Sequence, residues 1–153
     1  PTMDKNKWFG HNLSSLNGIL EYDLQGLGFL TKAAALNIFK IQILKGATQW
    51  GSIAIGVHLK FGAMKLLSAY TPIHSKKRTL CYETQVDQEF IESVINNKKD
   101  REVTALDKKY LKRFEISCHC EVSVLIKLQQ EIQAGEKYFL TSYEKEKYSL
   151  LKK

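Results

Sequence analysis

The stretch Phe114-Glu115-Ile116-Ser117-Cys118-His119-Cys120-Glu121-Val122-Ser123-Val124-Leu125-Ile126, with its continuation to Ser142, carries the fold reading of this chain. Phe114 to Ser117 reads as a short strand or an extended entry. Val122, Val124, Leu125, Ile126, Leu128 and Ile132 then form a strongly apolar helix to about Ala134, and Gly135 is a good helix stop. Lys137 to Ser142 is β-prone. Strand, helix and strand within about thirty residues need a sheet with helices laid on it.

Outward from this unit the pattern varies. Leu13, Leu16, Ile19 and Leu20 recur at near-helical spacing. Residues 29–44 are apolar except for Lys32 and Lys40, and predict a core helix that Gly46 stops. That run is shorter than the ~20 apolar residues a bilayer span needs, so no transmembrane segment is expected. Its other readings are a membrane-surface helix, or a docking surface through which the chain forms a homo-oligomer.

Ile53, Ile55, Val57, Leu59 and Phe61 alternate with Ser52, Ala54, Gly56, His58 and Lys60, which predicts a half-buried strand with His58 and Lys60 toward solvent or a groove. Ala63 to Ala69 reads as a short helix ended at Tyr70-Thr71-Pro72. Phe90, Ile91, Val94 and Ile95 mark an amphipathic helix over 87–96. Asn96 to Asp100 is a connector, and a helix follows through Val103, Leu106, Tyr110 and Leu111. Tyr143 to Lys153 reads as a charged terminal helix. The expectation is an α/β fold, a small mixed sheet with helices packed on it and a helix-rich N-terminal part. It forms one domain over 1–153, with a helical portion near 10–45 on an α/β portion near 52–153.

A length of 153 residues, 44% hydrophobic and 25% charged residues suit one globular domain. The net charge of +7 favours polyanionic partners, namely nucleic acid, nucleotides or an anionic surface. Lys76, Lys77 and Arg78 form the densest basic cluster, beside His74. Lys108, Lys109, Lys112 and Arg113 form a basic helix face. Both read as phosphate contacts or as solvated surface, and Tyr70, Tyr82 and Tyr110 are available for base stacking. Three cysteines are too few for a disulfide scaffold, and the polar start Pro1 to Lys5 carries no signal-peptide pattern. The compartment reads as reducing and cytoplasmic.

Cys118, His119 and Cys120 are metal-capable, and zinc takes Cys sulfur and His nitrogen in tetrahedral sets. The helix start beyond them is expected to lower the thiol pKa of Cys118 or Cys120. Cys81 is a further ligand candidate. The alternative is that Cys118 and Cys120 are core cysteines. A Cys-His nucleophile pair with His11, His58 or His74 stays open, since such pairs form in space. No P-loop, Gly-x-Gly-x-x-Gly or His-Glu-x-x-His pattern occurs in the chain.

His119-Cys120-Glu121 ahead of its apolar helix resembles the zinc-dependent nucleic-acid and nucleotide deaminase superfamily, in its fungal and rickettsial branch. The resemblance covers residues 117–142. It implies a zinc ligand at His119, a catalytic acid/base at Glu121 and a nucleobase or nucleic acid as the substrate class. The family's paired cysteines on the next helix have no counterpart, because no cysteine follows Cys120. A degenerate or truncated deaminase-like domain is one outcome. A basic, non-enzymatic module for nucleic acid or another polyanion, or a protein-interaction domain, is the other.

Overall fold

The structure is a computed structural model that describes residues 7–10, 26–71, 78–96 and 112–153. Its elements run β1 (Lys7–Gly10), α1 (Leu27–Ile38), β2 (Ile43–Gln49), α2 (Ala54–Leu59), β3 (Met64–Ser68), β4 (Thr79–Gln85), α3 (Gln88–Ile95), β5 (Lys112–Ser117), α4 (Val122–Gln133), β6 (Tyr138–Glu144) and β7 (Lys147–Lys152). The strands form one seven-stranded sheet in the order β1-β2-β4-β3-β6-β7-β5. Among the described residues only β1 and β2 pair in parallel; every other pair is antiparallel. The sheet is therefore mixed, and the α/β class stands.

The alternation of β4 decides which face is wet. Leu80, Tyr82 and Thr84 are buried, while Glu83 points the other way, 3.4 Å from Lys45 on β2 and within 4.0 Å of Lys65 on β3. The helices cover the apolar face. Ile55 of α2 with Leu125 and Leu128 of α4 joins Met64, Leu66, Tyr82, Tyr138, Leu140 and Tyr148 in the larger core cluster. Ala33 and Leu36 of α1, Ile91 of α3, Leu44 and Phe61 form the smaller one. The result is a two-layer arrangement.

The expected helix over 87–96 is α3, with the Asp87 carboxylate accepting from the Phe90 amide at 3.0 Å as its N-cap. The 122–134 helix is α4, and the strands at 114–117 and 137–142 are β5 and β6. Four elements differ from expectation. The apolar run 29–44 is two elements. α1 ends at Ile38, Lys40 adopts φ 48°, and the chain continues as β2. A continuous apolar run has no period of its own, and β2 gains hydrogen bonds from two neighbours once the sheet forms.

The alternating run 52–61 folds as the helix α2. Ile55 and Leu59, and again Val57 and Phe61, are four apart, so alternation also supplies two helical i,i+4 pairs. The first pair packs on the larger cluster and the second on the smaller. Ile53 is left 86% exposed. The expected helix 63–69 is the strand β3, in which Met64 and Leu66 are buried in alternation and β4 and β6 lie on either side.

The terminal helix is replaced by a hairpin. Lys145 and Glu146 both have positive φ, 47° and 63°, which matches the twist of a two-residue turn between β6 and β7. Tyr148, Ser149, Leu150 and Leu151 of β7 are consequently buried. The helix expected near 103–111 and the N-terminal helix at 13–20 lie outside the described residues. Among the described N-terminal residues α1 sits between two strands of the sheet, so a helix-rich N-terminal part is not what this region shows. Lys112 and Arg113 belong to the edge strand β5 rather than to a helix face.

Candidate metal centre

The β5–α4 turn folds tightly around Ser117. Its carbonyl accepts from the Cys120 amide at 3.0 Å, and its hydroxyl accepts from the His119 amide at 3.1 Å. The Cys118 amide donates to the Glu146 carbonyl at 2.8 Å, which holds the β6–β7 turn against the end of β5. The register does the same, since Ser117 stands opposite Lys147. Two turns distant in sequence are thus fixed side by side.

This juxtaposition assembles Cys118, His119 and Glu146, whose Sγ, imidazole nitrogen and carboxylate oxygen all lie within 4.8 Å of one another. Cys118 is buried; His119 and Glu146 are exposed, with Nε2 and Oε2 3.8 Å apart. Around the sulfur stand Tyr143 and Tyr148, stacked at 4.7 Å between centroids. Burial first, then the Cys118 sulfur, raises the Tyr143 phenol above its usual range. Tyr148 is pushed up to about 12, mainly by burial, although its hydroxyl accepts from the Gly51 amide at 2.6 Å.

The donor chemistry fits a borderline metal ion such as zinc. One sulfur, one nitrogen and one oxygen make a three-ligand set of the kind catalytic zinc sites use, with a fourth position left for water. Ligands around such an ion sit roughly 3.5 Å apart. Rotation of the two exposed side chains covers the remaining difference. In the same geometry without metal, the exposed contact between His119 and Glu146 is worth little by itself.

The other sequence candidates fall elsewhere. Cys120 turns toward Arg78, whose Nη2 donates to the Cys120 carbonyl at 2.6 Å and contacts its Sγ at 3.3 Å. Burial raises the Cys120 thiol, and the Arg78 guanidinium offsets this only in part. The lowered thiol expected at Cys120 from the helix start is therefore not realised. Cys81 lies on the wet face of β4, 3.9 Å from the Thr71 hydroxyl. Glu121 is the N-cap residue of α4, with its carboxylate near Ser123 Oγ at 3.3 Å.

Of the basic candidates, Lys76, Lys77, Lys108 and Lys109 lie outside the described residues. Arg78 is tied to Cys120 as above, and Arg113 donates to Ser149 Oγ at 3.0 Å. Lys112 is exposed at the start of β5, opposite Lys152. Glu146 is the candidate donor that sequence reasoning missed. A glutamate 27 positions beyond His119 carries no local signal, and only the hairpin brings it back.

Among the described residues no helix is long and apolar enough to cross a membrane. The fold and the cluster define a two-layer α/β protein with a three-donor, metal-type group at a junction of two turns. Comparisons with protein-family models, curated proteins and solved structures find no match to this chain.

Proposed function

We propose that this chain is a zinc-binding, deaminase-like domain acting on a nucleobase or nucleic acid, with Cys118, His119 and Glu146 as its metal ligands. The observation that carries the reading is the convergence of those three donor atoms within 4.8 Å. A bound zinc ion would supply a water ionised near neutral pH. Glu121, two residues beyond His119 at the start of α4, is the acid/base in this reading. With zinc bound, Glu121 would be the group that moves a proton toward a leaving amine. Cys118 and Glu146 together take the place of the absent paired cysteines, which changes the donor set and leaves the ligand count at three.

The alternative of a non-enzymatic polyanion-binding module has the net charge of +7 behind it. Among the described residues, however, Lys45, Lys65, Lys147 and Lys152 are each within 4.0 Å of a carboxylate. Such pairs dilute a positive field. The metal reading has an assembled group of atoms on its side.

Elemental analysis of the purified chain tests the proposal. About one zinc per chain is expected, lost in His119→Ala and Glu146→Gln and kept in Cys120→Ser. Glu121→Gln should keep the metal and abolish ammonia release from cytosine- or adenine-containing substrates. A folded wild-type chain that neither contains nor takes up zinc would falsify the reading. Zinc retained in Glu146→Gln would remove Glu146 from the ligand set.

A further inference from the structure

β5 is the last strand of the sheet, and among the described residues no strand pairs with its outer side. Its inner side pairs antiparallel with β7, from Lys112 opposite Lys152 to Ser117 opposite Lys147. One step beyond that register, the Cys118 amide donates to the Glu146 carbonyl at 2.8 Å. Hydrogen-bonded positions recur at every second residue of an antiparallel ladder. Phe114 and Ile116 therefore turn their amides and carbonyls toward β7, and Arg113, Glu115 and Ser117 turn theirs outward. The Ser117 carbonyl is taken by the Cys120 amide at 3.0 Å. Arg113 and Glu115 are left with main-chain donors and acceptors facing away from the sheet.

The side chains follow the pleat. Phe114 and Ile116 belong to the larger core cluster on the helix-covered face. Arg113 and Glu115 stand on the open face, and both are exposed. Glu115 meets the exposed Lys147 at 3.5 Å, and Arg113 reaches Ser149 Oγ at 3.0 Å. Among the described residues no carboxylate pairs with Arg113.

Opposite charges two residues apart make this edge complementary to itself. On a second copy laid antiparallel, with the two-fold axis at Phe114, Arg113 stands opposite the second copy's Glu115. Glu115 likewise stands opposite the second copy's Arg113. Both positions face outward, so each couple exchanges two main-chain hydrogen bonds and adds an ion pair. An axis at Glu115 would oppose two glutamates, and an axis at Arg113 two arginines; both are like-charge pairs. An axis between residues sets an outward position against an inward one and loses the hydrogen bonds. Charge and ladder geometry select the same register.

We propose that β5 is a dimerisation edge, at which two copies of this chain join β5 to β5 antiparallel about an axis at Phe114. The two seven-stranded sheets become one continuous sheet. The contact is isologous, so it closes at two chains. The Arg113 and Glu115 amides donate across the axis to the second copy's Glu115 and Arg113 carbonyls. The assignment is independent of the metal reading, since it uses none of the same residues.

Sedimentation equilibrium of the full chain over a concentration series tests it, with the fold of each variant checked by circular dichroism. The wild type is expected to be a dimer that dissociates on dilution. Arg113→Glu and Glu115→Arg each place like charges at both couples and should weaken dimerisation at least about tenfold. The double exchange, Arg113→Glu with Glu115→Arg, restores opposite charges and should bring the dimer back. Amide hydrogen exchange of the wild type adds a readout that needs no variant. The Arg113 and Glu115 amides should be protected at high concentration and exchange fast on dilution, while the Phe114 amide stays protected at both. A wild type that remains monomeric up to about 1 mM overturns the proposal. So does a dimer whose Arg113 and Glu115 amides exchange alike at both concentrations, as one formed through α1 would show. Folded single variants that dimerise as tightly as the wild type overturn the register.

Discussion

A Cβ added at Gly46 would lie 2.6 Å from the Tyr82 hydroxyl oxygen and 2.7 Å from its Cζ. The Tyr82 ring crosses β2 at the one residue that has no side chain, and there it meets His58. Gly46→Ala forces the ring to move within a packed core. A loss of about 2 kcal/mol in urea unfolding is expected, with a change in the Tyr82 and His58 ring signals. His58 sets a pH dependence of its own. Its pKa is lowered from 6.5 to about 4, so between those values the unfolded chain binds the proton and the folded chain does not. Stability therefore falls as pH drops from 6.5 toward 4. In His58→Phe that part of the slope should vanish, worth roughly 1–2 kcal/mol after allowance for solvent screening of a half-buried group. Parallel unfolding curves of the two proteins at about pH 7 and about pH 4.5 measure it; identical slopes would refute the burial of His58.

At the scale of elements, Gln129 is a polar side chain that ties α4 to the end of β3. Gln129 Oε1 accepts from Ser68 Oγ at 3.0 Å and from the amides of Ala69 and Tyr70 at 2.8 and 3.3 Å. It satisfies the end of β3 where ladder pairing stops. Gln129→Ala leaves those amides without that acceptor and should cost about 2 kcal/mol, read as a lower denaturant midpoint with an unchanged slope. Helices with one clear apolar stripe or a cap, such as α3 with Asp87, were legible from residues alone. So were β5, α4 and β6. The misread elements share a physical cause. In α2, alternation and i,i+4 spacing coincide over Ile55, Val57, Leu59 and Phe61. In β7, charged residues at 144–147 form the turn while Tyr148 to Leu151 supply the buried strand. Neither choice exists until a neighbouring strand offers hydrogen bonds or a core offers burial.

On the scale of the whole molecule, the proposed metal binding would be linked to folding. The two turns that carry Cys118, His119 and Glu146 meet only when β5, β7 and β6 pair, so the ligand set belongs to the folded state. Zinc at a hundredfold excess over its dissociation constant should stabilise the fold by about 2.7 kcal/mol. For a chain of this size that is about 5–10 °C in Tm. Calorimetry of the metal-free wild type with and without zinc should show this shift, and Glu146→Gln should not. An equal rise in both proteins would place the ion elsewhere.

Read by itself, the chain determined its α/β class, the helices α3 and α4, the strands beside α4, and the presence of a Cys-His-Cys-Glu step at a helix start. These depend on neighbours within a few residues, where spacing and capping act. Which of those side chains converge was settled only by tertiary structure. The β6–β7 hairpin brings Glu146 to Cys118 and His119, and Arg78 draws Cys120 aside. The packing of α1 and α2 on one sheet face places Lys32 against His58. Contacts between residues so far apart in the chain arise from strand register and helix packing, and no local periodicity encodes them.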